Sequence, residues 1–216
     1  LASQISGKTF VVTKPQALEI DAANAVDLAT IDLSTLTPDA SAAPNFKVDA
    51  TAGIKGSIFN TSQAFNITGS SVVDNIKGYA NADTISSGAG IDTVDGAAGA
   101  DTIDAGAGAD NITGGTGADN ITTGAGNDTV TSTSGVNTID TGAGVDIVNM
   151  GTGTDIISTG DANDTIVAGA SDLLANDVID GGAGEDTVVF TGDFNDYLIE
   201  VTSETCLLYT SDAADE

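Results

Sequence analysis

A period of nine residues runs through this 216-residue chain and constrains its fold more than any other feature. From Gly88 the sequence reads GAGIDTVDG, AAGADTIDA, GAGADNITG, GTGADNITT and GAGNDTVTS, and TSGVNTID, TGAGVDIVN, TGTDIIST and GDANDTIVA continue the register. One column holds Asp74, Asp83, Asp92, Asp101, Asp110, Asp119, Asp128, Asn137, Asp146, Asp155 and Asp164, with Asn137 its single departure. Two residues later stands a column without exception: Ile76, Ile85, Val94, Ile103, Ile112, Ile121, Val130, Ile139, Val148, Ile157 and Ile166. Two residues before the acid, glycine recurs as Gly90, Gly99, Gly108, Gly117, Gly126, Gly135, Gly144 and Gly153, and Ala162 is the first later lapse.

Glycine-rich stretches permit positive φ and close backbone approach, which suits tight turns. The Thr-Ile-Asp or Asn-Ile-Thr stretches that follow suit short strands whose middle side chain points inward. Each nonapeptide is therefore one turn plus one strand, and two make a coil of a β-solenoid. Alternate acids then share a flank: Asp74, Asp92, Asp110, Asp128, Asp146 and Asp164 on one side, Asp83, Asp101, Asp119 and Asp155 on the other. After a four-residue insertion around Ala168–Asn176 the register returns with Asp177 and Ile179, then Gly181, Gly182, Gly184, Asp186 and Val188. The Ile/Val column is read as core.

Charge sets the next constraint. All five basic residues (Lys8, Lys14, Lys47, Lys55, Lys77) lie in the first 77 positions, so the remaining residues carry 32 − 7 = 25 acids and no cation. Such a segment cannot neutralise itself, and self-repulsion opposes any compact state unless cations are recruited. A disordered linker and a metal-free solenoid are the two bland alternatives. The first ignores the strict register, and the second stacks like charges with nothing between them. The net charge of −27 also speaks against nucleic acid and anionic membrane partners. Histidine is absent and Cys206 is the single cysteine, which removes imidazole bases, Ser-His-Asp and Cys-His systems and His- or Cys-ligated zinc. No catalytic residue and no enzyme activity are expected within these residues. No run approaches the roughly 18 apolar residues of a membrane span. Leu1 is followed by no basic and then apolar leader pattern, so the chain is expected to be an internal piece.

The pattern G-G-x-G-x-D-x-U-x, cleanest in GGAGEDTVV at 181–189, resembles the RTX (haemolysin-type) calcium-binding nonapeptide repeat over about 74–190. The resemblance implies an all-β fold, a right-handed parallel β-roll, with each Ca²⁺ sandwiched between the glycine turns of adjacent coils. Aspartate side chains and turn carbonyls would be the ligands, and calcium accepts six to eight oxygens at about 2.3–2.6 Å in flexible geometry, unlike magnesium. Carried onto this sequence, the ligating turns are Asp83; Gly88, Gly90 and Asp92; Gly96, Gly99 and Asp101; Gly106, Gly108 and Asp110; Gly114, Gly115, Gly117 and Asp119; and Gly124, Gly126 and Asp128. They continue through Gly142, Gly144 and Asp146; Gly151, Gly153 and Asp155; Gly160 and Asp164; and Gly181, Gly182, Gly184 and Asp186. Asn137 keeps an oxygen and loses the charge, interrupting its flank. Val72 before Asp74 and Asn81 before Asp83 replace the glycine, and sites there are expected to be weak or empty.

Four segments follow: a β-rich lead-in at 1–68 with calcium-free coils, in which Ile58 and Ile67 are in phase with the later column; the roll at 69–190; a cap at 191–205 that, with Phe190, covers the coil end through Phe194, Tyr197 and Ile199; and a tail at 206–216. A cap is needed because a solenoid end exposes unpaired strand edges. The tail, CLLYTSDAADE, resembles a translated sequencing-library adapter, which would place the natural end near Thr205. The family resemblance implies a bacterial extracellular or cell-surface protein that binds several Ca²⁺ and passes a type I secretion machinery unfolded. Surface-layer or adhesin-type proteins are the leading context, with self-association or cell-surface contact as further partners. A secreted enzyme or toxin whose catalytic domain lies elsewhere is the alternative. A calcium-dependent ice-binding solenoid is the third, raised by the Thr/Asn column at 75, 84, 93, 102, 111, 120, 129, 138 and 165, broken at Ile147 and Ile156, although threonine suits any exposed strand position.

Overall fold

A computed structural model of the chain describes residues 19–22, 26–27, 46–50, 54–55, 64–169, 171–172 and 176–191. The expected cap, the adapter-like tail, Ile58 and most of the lead-in lie outside the described residues. Among the described residues eighteen strands, numbered in chain order from β1 (Glu19–Ala22) to β18 (Thr187–Thr191), form two nine-stranded sheets. Odd-numbered strands make one sheet and even-numbered strands the other. Every pairing is parallel, so the chain winds through one strand of each sheet per coil: a parallel β-solenoid. Among the described residues no helix is long and apolar enough to cross a membrane.

The nonapeptide period sets the pairing directly. Ile103 lies beside Ile121, Ile121 beside Ile139 and Ile139 beside Ile157, always 18 residues on. A parallel sheet buried on one face needs β-branched side chains there, and a one-residue slip would expose them all. In the lead-in, β3 (Phe46–Ala50) pairs with β5 (Phe65–Ser70) at an offset of 19, and β1 pairs with β3 at 28. The strands before the repeat thus extend the same two sheets on a looser spacing.

Two files of side chains fill the interior. Ile67, Ile85, Ile103, Ile121, Ile139 and Ile157 from one sheet meet Ile76, Val94, Ile112, Val130, Val148 and Ile166 from the other, all at most 2% exposed. Burying one such side chain contributes about 1.5–3 kcal/mol. Ile179 and Val188, near the end of the described region, are only partly buried. The insertion leaves the pairing on either side intact: β15 (Ile156–Ser158) pairs with β17 (Val178–Asp180), and β16 (Thr165–Gly169) with β18, both at an offset of 22. Just after β16 the Asp172 carboxylate accepts the Gly169 N–H.

The last motif glycine closes each coil against the one before. At Gly108, with φ +149°, an added Cβ would stand 1.4 Å from the Gly90 carbonyl oxygen, and Gly117 and Gly126 meet Gly99 and Gly108 in the same way. Ala162, the lapse in this column, takes φ 92° instead, while the glycines keep φ between 138° and 156° from Gly90 to Gly126. Gly108→Ala is expected to destabilise the folded chain by about 3 kcal/mol or more, whereas Ala109→Ser, on the exposed neighbour, should change little; thermal unfolding followed by circular dichroism compares the two.

Candidate metal centre

The aspartate column lies inside the solenoid. Asp74, Asp83, Asp92, Asp101, Asp110, Asp119, Asp128, Asp146, Asp155 and Asp164 are all at most 3% exposed, which is unusual for ionisable groups. From Asp92 to Asp164 each reaches back one coil with one oxygen. Asp92 Oδ1 accepts the Asp74 N–H at 2.8 Å, Asp110 Oδ1 the Asp92 N–H at 2.7 Å, Asp128 Oδ1 the Asp110 N–H and Asp146 Oδ1 the Asp128 N–H, both at 2.8 Å. Asp101 and Asp119 brace the other flank similarly, on the N–H groups of Asp83 and Asp101. Past the insertion, Asp177 and Asp186 take the N–H groups of Asp155 and Asp164.

The second oxygen has no such use. Oδ2 of Asp92, Asp101, Asp110, Asp128, Asp146, Asp155 and Asp164 is buried and accepts no hydrogen bond. An isolated buried anion costs several kcal/mol unless it is paired, protonated or coordinated. No Lys, Arg or His follows Lys77, and Lys77 itself pairs with Asp95 on the outer face of the even sheet. Burial accordingly pushes Asp101 and Asp110 up from 3.8 to about 6, against the lowering effect of the Asp83 and Asp92 N–H groups. The neighbouring carboxylates Asp119 and Asp95 add to the rise at Asp101, as Asp92 and Asp128 do at Asp110. Burial also raises Asp92, Asp119, Asp146 and Asp155.

The three motif glycines turn out to have three separate tasks. The middle one, as in Gly88, Gly106, Gly115, Gly124, Gly142, Gly160 and Gly182, takes φ between 79° and 106° and turns the chain out of the strand. The last one gives the close approach already described, at Gly90, Gly99, Gly108, Gly117, Gly126, Gly144, Gly153 and Gly184. Gly151, in the middle position, is absent from the positive-φ set, and an added Cβ there would meet the Thr133 carbonyl at 2.4 Å. The first glycine makes room for the acid: a Cβ on Gly96 or Gly114 would lie 2.7 or 2.9 Å from Oδ2 of Asp101 or Asp119, and one on Gly181 would lie 2.5 Å from Oδ2 of Asp186. Before Asp83, Asn81 adopts φ 88° and so keeps a glycine-like turn.

The first motif position also carries a signal that the nine-residue reading overlooks. Before Asp92, Asp128, Asp146 and Asp164 it is Ser87, Thr123, Thr141 and Thr159, with Gly69, Ala105 and Gly181 as the other occupants of that flank. Those hydroxyls donate across the coil gap to the carbonyls of Ala105, Thr141, Thr159 and Gly181 at 3.0–3.1 Å. The signal was in the sequence as threonine recurring every 18 positions at Thr123, Thr141 and Thr159.

Among the described residues no three carboxylates cluster closely enough to hold a metal ion by themselves. A cation can therefore be served only by aspartates stacked 18 residues apart together with backbone oxygens. That donor set is all-oxygen, anionic and unsatisfied, which fits calcium, a hard cation that takes carboxylate and carbonyl ligands. The family described as RTX calcium-binding nonapeptide repeat (4 copies) matches residues 67–94, 77–112, 95–130, 113–148, 122–157, 149–172 and 174–198. These matches span more than half of the chain, and the chain belongs to that family. No curated protein and no solved structure matches it.

The raised carboxylates fix the sign of a pH effect in metal-free buffer. A folded-state value near 6 against 3.8 for the unfolded chain means that the folded form binds more protons between the two. The resulting stability is fully present below about pH 4 and is lost as pH rises through about 6. In EDTA, β structure read by circular dichroism should grow as pH falls from 7 to 4; a flat or opposite trend would show that the buried oxygens do not control folding.

Proposed function

We propose that this member of the RTX calcium-binding nonapeptide repeat family is the calcium-dependent structural roll of a bacterial extracellular or cell-surface protein, exported unfolded through a type I secretion system and folding outside. The observation that carries the reading is the column of buried, unpartnered Oδ2 atoms from Asp92 to Asp164. With Ca²⁺ bound, those oxygens gain a positive partner. The stacked pairs Asp92/Asp110, Asp110/Asp128, Asp128/Asp146 and Asp146/Asp164 on one flank, and Asp83/Asp101 and Asp101/Asp119 on the other, would hold it with glycine-turn carbonyls.

Two arguments connect the chemistry to the setting. Without cations the segment after residue 77 carries 25 acids and no base, so the unfolded chain is favoured where calcium is scarce. Sites of extracellular type bind calcium with Kd of about 10⁻⁴–10⁻³ M, and because the site does not exist in the unfolded chain, that binding energy is folding energy. A chain of this kind stays threadable inside the cell and becomes rigid outside. Its own role is ion binding and construction rather than catalysis, in keeping with the absence of histidine and of any cysteine other than Cys206. A surface-layer or adhesin-type parent suits a lead-in whose strands continue the same two sheets.

Far-UV circular dichroism of the chain during a calcium titration in EDTA-treated buffer, with magnesium as control, tests this. A cooperative coil-to-β transition is expected with calcium at about 0.1–1 mM and none with magnesium at the same concentration. Full β signal in EDTA at pH 7 would remove calcium from the folding mechanism.

A further inference from the structure

Asn137 is the one departure in the column from Asp74 to Asp164, and the structure gives it a role that a missing charge does not suggest. Its amide is 1% exposed and fully used. Oδ1 accepts the Asp119 N–H at 2.9 Å, as an aspartate would, while Nδ2 donates to Ser132 Oγ at 2.8 Å and to Asp155 Oδ1 at 2.9 Å. The Asn137 N–H donates to the same Asp155 oxygen at 2.9 Å. Ser132 occupies the first motif position, where the preceding coils of this flank carry Gly78, Gly96 and Gly114 and the next carries Met150, and it supplies an acceptor for the amide. In the coils to either side, Oδ2 of Asp110, Asp128, Asp146 and Asp155 lies buried without a hydrogen bond.

We propose that Asn137 and Ser132 form a hydrogen-bonded rung that replaces a calcium site and acts as a calcium-independent seed from which the roll folds. The proposal rests on the calcium-dependent folding described above and specifies how it is regulated along the chain. In a solenoid each coil contacts only its neighbours, so folding begins where the local balance is most favourable and spreads from there. Burying a carboxylate without a partner penalises every aspartate coil in the absence of cations. The turn at Asn137 adds no such penalty of its own, and its amide donates within its coil to Ser132 and across the gap to Asp155. β11 (Asn120–Thr122), β13 (Thr138–Asp140) and β15, stacked in one sheet around this rung, are therefore the strands that hold together first.

Amide hydrogen exchange of the full chain, in EDTA and at saturating calcium, tests the seed. In EDTA, amides of β11, β13 and β15 should exchange about tenfold more slowly than those of β7 (Thr84–Ala89) and β9 (Thr102–Ala107). Asn137→Asp should abolish that difference and raise the calcium concentration for half-folding, while the calcium-saturated circular dichroism spectrum stays unchanged. Ser132→Gly withdraws the acceptor without adding charge and should weaken the protection in the same strands, so the test survives if N137D fails to fold. Uniform exchange across all five strands in the parent chain, or both variants indistinguishable from it, would overturn the seed. Calcium could still drive folding in that case, whereas a chain indifferent to calcium would instead overturn the function proposed above.

Discussion

The roll depends on a carboxylate used with only one of its two oxygens. From Asp92 to Asp164, Oδ1 of each buried aspartate caps the backbone N–H of the residue 18 positions earlier, tying coil to coil. The inward turn buries the remaining oxygen, which in Asp92, Asp101, Asp110, Asp128, Asp146, Asp155 and Asp164 accepts no hydrogen bond. Structure and cation demand thus come from the same side chain. A chain with asparagine at every position could keep the brace and lose the dependence; one with aspartate at every position makes folding conditional on the surroundings.

Around that constraint the other columns fall into place. Glycine at the first motif position clears space for Oδ2, glycine at the second turns the chain, and glycine at the third lets one coil's carbonyl approach the next coil's Cα. The Ile/Val files supply the apolar contact that is common to all conditions. Their burial alone does not offset a row of uncompensated carboxylates, because each unpartnered ion costs several kcal/mol and each aliphatic side chain contributes about 1.5–3 kcal/mol.

Much of this was legible in the sequence because both signals were periodic. The Ile/Val column announced parallel strands in register, and the alternation of acids announced two flanks; the paired sheets follow that plan from Asn66 onward. The insertion was legible as an interruption, but its effect was not, since only the three-dimensional pairing shows that the register on either side survives it. The separate tasks of the three glycines also escaped, because a sequence gives a missing side chain no direction. Asn137 shows the limit most clearly: the substitution was visible, yet its partner Ser132 lies five residues earlier and matters only because the strand end folds back beside the next turn.

The constant offset between stacked strands carries a consequence for size. Every 18 residues add one strand to each sheet and nothing else, and neighbouring strands stand about 4.8 Å apart. Contour length is thereby converted into physical height at about 0.27 Å per residue, compared with roughly 3.3 Å per residue for an extended strand. Duplication of a coil lengthens the object by one fixed step without altering its width or the chemistry of its walls. A gene carrying this repeat can set the reach of its product simply by counting.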